Sequence, residues 1–121
     1  MAYLLASCNQ SPQFEIIIDN PYAPKDGDDD MTRAPAFVEK ADWDAAENRL
    51  HLAGSLPTPC NQLRVSHTQS GGRLKFEVYS LTEPGMMCAQ MLQPFDVYLT
   101  VKNLPAQGLA IQVNGAEVFS P

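Results

Sequence analysis

The sequence predicts an all-β protein, an antiparallel two-sheet sandwich of seven to nine short strands. Three observations carry that expectation. Apolar and polar residues alternate with period two over much of the chain, as in strands buried on one face. Ten prolines and seven glycines fall between the apolar runs, as turn residues do. No stretch sustains a helical period, and there is no internal repeat. At 121 residues there is room for one core, and we assign residues 13–121 to a single domain.

The elements follow in chain order. Phe14, Ile16 and Ile18 alternate with Glu15 and Asp19 in an opening strand interrupted by Ile17. A loop rich in Pro, Gly and Asp is expected from Asn20 to Pro35, and a second strand from Ala36 to Trp43. Asp44 to Asn48 reads as a turn rather than a short helix, because alternation resumes at once through Leu50, Leu52, Gly54 and Leu56. Leu63 and Val65 mark the next strand. Gly71-Gly72 supplies the positive φ of a hairpin turn, and Leu74, Phe76 and Val78 line the return. Phe95, Val97, Leu99 and Val101 form the longest clean alternation. Leu109, Ile111 and Val113 run into Asn114-Gly115, the strongest short hairpin signal, with Val118 beyond.

With a net charge of −6 and singly scattered Lys and Arg, the chain lacks the basic stripe that would displace counterions from nucleic acid. It also lacks the polybasic cluster that binds anionic lipid. Nucleic acid is therefore not an expected partner.

Leu5-Ala6-Ser7-Cys8 resembles the lipobox of bacterial lipoproteins, in which Leu and two small residues precede a cysteine. The resemblance implies a diacylglycerol on the Cys8 thiol, cleavage before it, and an extracytoplasmic, membrane-anchored location in a bacterial cell envelope. Residues 1–12 then divide into a signal-peptide remnant and a polar tether that begins Asn9-Gln10-Ser11-Pro12. The charged and long apolar regions of such signals are missing, so a start upstream of Met1 is expected.

Three cysteines leave one over if two pair. Lipidation of Cys8 removes it and leaves Cys60 and Cys88, each at a strand end, to form a disulfide that export permits. There is no Cys-x-x-Cys pair for zinc or redox chemistry. The strand succession resembles immunoglobulin-like modules of bacterial surface proteins. It departs from the antibody pattern because Trp43 precedes both cysteines, which leaves a jelly roll or small barrel as alternatives.

Candidate sites are few. Asp26, Asp28 and Asp30 offer alternating hard oxygens to Ca²⁺. Gly27 stands where a ligand spacer would be, no glutamate closes the loop, and neighbouring carboxylates repel, so a solvated loop is the competing expectation. No other cofactor is implied. His51 is placed on an outward face, and His67 at a strand end beside a polar turn. No nucleophile–His–carboxylate order, carboxylate pair or phosphate-cradling loop is found, so no enzyme is expected.

The Glu83–Pro94 segment is apolar without alternation and contains Met86, Met87, Met91 and Leu92. The expectation is a plug over the disulfide at one end of the sandwich. Methionine is also frequent at adaptable binding surfaces, so a partner surface is the competing reading. The function expected is a non-catalytic binding module at the cell envelope, recognising a protein or glycan. Alternatives are a protease inhibitor presenting loops Leu56–Cys60 and Pro84–Cys88, an accessory domain for envelope assembly, or a small hydrolase.

Overall fold

A computed structural model describes residues 15–121. Those residues form nine strands: β1 (Ile17–Asp19), β2 (Thr32–Pro35), β3 (Phe37–Asp44), β4 (Arg49–Leu56), β5 (Gln62–Ser70), β6 (Arg73–Thr82), β7 (Gln93–Lys102), β8 (Ala110–Val113) and β9 (Ala116–Phe119). One sheet has the order β1-β7-β4-β3. The other contains β2, β6, β8 and β9, with β5 on β6. The sheets pack face to face as a sandwich, and the likeness to immunoglobulin-like modules is one of layers, since here β7 lies between β1 and β4.

The alternation explains the core. Leu50 and Leu52 on β4 and Leu99 on β7 are fully buried, and they meet Val65, Leu74 and Ile111 from the opposite sheet. Burying each such side chain stabilises the fold by about 1.5–3 kcal/mol. Asp44 closes the turn expected before β4: its Oδ1 accepts from the backbone N–H groups of Ala46 and Glu47 at 3.0 and 3.2 Å. Asn48 takes a positive φ of 51° there.

Two expectations need correction. The Asn20–Pro35 segment is not wholly loop, because it contains a single turn of 3₁₀ helix (Asp28–Asp30) and the strand β2. That strand hides from a periodicity reading: it is four residues long, ends in proline, and buries none of its residues. Nor is the sandwich wholly antiparallel, since β6 and β8 run parallel from Arg73↔Ala110 to Phe76↔Val113.

Both β8 and β2 lie on the flank of β6 opposite β5, β8 along its first half and β2 along its second. Asn114 fills the interval between them. Its Oδ1 accepts from the Val78 N–H at 2.8 Å and its Nδ2 donates to the Val78 carbonyl at 3.3 Å. A side-chain amide thus replaces a peptide unit in the ladder.

The chain passes from one sheet to the other between β2 and β3, at Ala36. A chain of polar bonds holds this corner. Thr58 Oγ1 donates to Asn61 Oδ1 at 2.6 Å, Asn61 Nδ2 to Ser80 Oγ at 2.9 Å, and Ser80 Oγ to the Pro35 carbonyl at 2.8 Å. The buried Asn61 and Ser80 side chains are thereby partnered, as burial requires. Beyond the corner β3 carries a bulge between Val38 and Lys40. Gly54 faces it, where a Cβ would overlap the Phe37 carbonyl.

Candidate functional site: the disulfide-pinned pole

Cys60, between β4 and β5, and Cys88, between β6 and β7, form a disulfide with a Cα–Cα separation of 5.9 Å, within the range a bridge requires. It joins two loops at one end of the sandwich rather than joining the sheets through the core. The Leu56–Cys60 and Pro84–Cys88 loops are therefore brought together. The pairing inferred by subtraction of Cys8 is the one observed. Cys8 itself lies outside the described residues, as does Phe14.

The Glu83–Pro94 segment does not plug the sandwich, and here the structure overturns the expectation. Met86 is 48% exposed, Met87 95%, Met91 60% and Leu92 58%. The space they were expected to fill is already closed. Leu56, Leu63 and Leu81 are buried at this end, and the Thr58–Asn61–Ser80 bonds occupy the corner. Four large apolar side chains are left in solvent on a covalently pinned loop.

The aspartate-rich segment lies at the same pole. Asp26, Asp28 and Asp30 share a concavity with Gln62, Arg64, Glu83 and Pro84. The three aspartates do not converge on a common point. Asp28 turns inward, and its carboxylate accepts from Arg64 Nε at 3.0 Å and Arg64 Nη2 at 3.2 Å, a bidentate, charge-assisted pair. It also accepts from the Lys25 N–H at 3.0 Å. These bonds, the Arg64 pair first, hold the Asp28 carboxyl below its ordinary value of 3.8. Asp26 and Asp30 remain exposed. Among the described residues no three metal-ligating side chains gather, and of Asp26, Asp28 and Asp30 the middle carboxylate serves Arg64.

Further upstream the segment is fastened to the edge of β5. Asn20 Nδ2 donates to the Val65 carbonyl at 2.8 Å, and the Val65 N–H donates to the Tyr22 carbonyl at 2.8 Å. The chain after β1 thereby pairs locally with β5 and covers part of its exposed edge.

A cluster that the sequence reading did not assemble lies on the outer face of the first sheet. His51 Nε2 is 2.6 Å from Asp96 Oδ1, and the His51 and Tyr98 rings stack at 4.4 Å. The Arg49 guanidinium lies 4.6 Å from the Tyr98 centroid. These residues are cross-strand neighbours, with His51↔Tyr98 and Ala53↔Asp96 in register. Parity placed His51 outward, as observed, but only the pairing of β4 with the distant β7 supplies its partners. The pair links β4 to β7 across the outer face. His67 pairs with Phe76, whose ring lies 6.3 Å from its own, at one rim of a groove on the outer face of the second sheet. There Arg33 bonds Glu77 at 2.8 Å and covers the Tyr79 ring at 3.9 Å.

No curated protein and no solved structure gives a significant match to this chain. A family model does: the ORF11 beta-sandwich domain matches residues 50–120. The match runs from the start of β4 to the end of β9 and contains both cysteines and the methionine loop, but not the aspartate segment. Covering more than half of the 121 residues, it shows that the chain belongs to the ORF11 beta-sandwich domain family.

Proposed function

We propose that this protein is a non-catalytic interaction module of a bacterial cell envelope, held to the membrane by a lipid on Cys8 and binding its partner through the Glu83–Pro94 loop. The observation that carries this reading is the pinned loop with Met87 fully in solvent. Exposed apolar clusters on a rigid scaffold are the usual mark of a recognition surface. Geometry supports the anchor as well. Glu15 lies at the other pole, where its carbonyl accepts from Asn103 Nδ2 and Ile17 pairs with Lys102. The methionine loop adjoins Gln93, at the opposite end of β7, roughly 30 Å away for ten residues of strand. The six residues between Cys8 and Glu15, seven Cα–Cα steps, reach at most about 25 Å. A lipid on Cys8 would therefore point the methionine loop away from its own bilayer.

The test has two parts. Expressed with an upstream signal in a bacterial host, the protein should fractionate with membranes, and Cys8→Ser should release it. A photo-crosslinking residue at position 87 should capture an envelope component, whereas one at Glu47, near the other pole, should not. Identical cytosolic fractionation of wild type and variant would refute the anchor. Equal labelling from both positions would refute the binding loop.

A protease-inhibitor reading is favoured by one observation, since the disulfide couples the two loops expected to enter a protease cleft. Cleavage kinetics of a protease panel with and without the protein would distinguish it.

A further inference from the structure

The interaction-module reading leaves the partner's chemistry open, and the following inference rests on that reading. The apolar side chains at the disulfide pole are not alone there. The concavity between the aspartate segment and the methionine loop is lined by Asp26, Asp30 and Glu83, with Pro84 leading to Met86. Asp26, Asp29, Asp30 and Glu83 are all exposed, and none forms an ion pair within the described residues. The cations that could neutralise them are engaged or scarce. Arg64 is consumed by Asp28, Arg33 by Glu77, and only Lys25 stands among them.

The pole thus carries four exposed apolar side chains on one loop beside an acidic concavity. We infer that it docks a basic amphipathic segment of another protein, one whose apolar side chains pack on Met86, Met87, Met91 and Leu92 while its Lys or Arg side chains meet the aspartate segment. Methionine suits this occupant because its unbranched thioether repacks around apolar chains of different shape. Oppositely charged rims raise the association rate and set orientation. Other occupants fit less well. A second copy would bring two acidic rims together, an anionic bilayer would be repelled, and a glycan would meet no aromatic platform among the four exposed apolar side chains.

The experiment uses purified protein and a 14-residue Leu/Lys peptide of amphipathic helical pattern. Two comparators of equal length serve, one with Glu for Lys and one with Ser for Leu. Binding is followed by fluorescence anisotropy and by the methionine methyl signals in NMR. The Leu/Lys peptide should bind and shift the Met86, Met87 and Met91 methyls, and added salt should weaken it. Both comparators should bind at least about tenfold more weakly, since each lacks one half of the complementarity. An Asp26→Asn, Asp29→Asn, Asp30→Asn variant and a Met86→Ser, Met87→Ser variant should each lose a similar factor while keeping the wild-type Tm. A control that removes as much charge elsewhere, Asp19→Asn, Glu47→Gln and Glu117→Gln, should bind as wild type does.

Equal weakening by that control would reduce the effect to net charge and overturn the inference. So would preference for the Leu/Glu peptide, for phosphatidylglycerol vesicles, or for self-association seen as methionine shifts that depend on protein concentration alone. If the peptide fails while position 87 still crosslinks an envelope component, this inference falls and the interaction-module reading stands.

Discussion

The two long irregular segments of this protein meet at one pole and invert what their compositions suggest. Asn20 to Met31 is polar, acidic and rich in turn residues, yet it is stitched to β5 through Asn20, Tyr22 and the Asp28–Arg64 pair. Among the described residues Glu83 to Leu92 is the most apolar irregular segment, yet it leaves its methionines in water and is fastened chiefly by one covalent bond at Cys88. The lesson is that a loop is held by bonds its backbone and polar groups can complete. Apolar content holds a loop only where the core has a vacancy, and this core has none at that end.

Breaking each fastening separately tests that contrast. The largest effect should come from the covalent one. Cys60→Ala with Cys88→Ala should lower stability by roughly 3–4 kcal/mol on the chain-entropy account, read by denaturant unfolding. A change below 1 kcal/mol would show that the loop is held by contacts other than the bridge. Next should be Asn20→Ala, which strands the Val65 carbonyl and removes an acceptor from the Tyr22 N–H. A loss of about 1–2 kcal/mol is expected, together with faster amide exchange at Val65.

Asp28→Asn should cost less and should do so in a pH-dependent way. The folded pKa of Asp28 is depressed below 3.8 by Arg64. Its ionised form therefore contributes stability above the unfolded value, and that contribution is lost as pH falls through the folded value. The Tm gap between wild type and Asp28→Asn should be constant near neutrality and close below about pH 3.8. A gap that widens on acidification would contradict the assignment. The smallest effect belongs to Met87→Ala, which should change stability by no more than about 0.5 kcal/mol. A loss of 2 kcal/mol or more, the scale of a buried methionine, would restore the plug and remove the binding surface.

The period-two pattern alone placed β4, β6 and β7 close to their observed bounds, because an inward side chain must be apolar wherever one face is buried. The Gly71-Gly72 and Asn114-Gly115 turns were equally legible, since few residues other than Gly and Asn adopt their positive φ readily. Setting Cys8 aside on its lipobox resemblance left Cys60 and Cys88, each at a strand end, as the pair. These are local or combinatorial properties, and they were enough to specify an all-β sandwich.

What the sequence left undecided were the relations between distant segments. β2 became a strand only because the second half of β6 offered an unpaired flank to Thr32–Pro35, and β8 ran parallel because it entered that flank from the other end. His51 acquired Asp96 and Tyr98 through the pairing of β4 with a strand some 45 residues away. Asp28 acquired Arg64 across 36 residues. Whether the methionines were core or surface depended on how much space the leucines and the Thr58–Asn61–Ser80 corner had already taken. Hydropathy records what a side chain prefers, whereas close packing decides whether there is room for it.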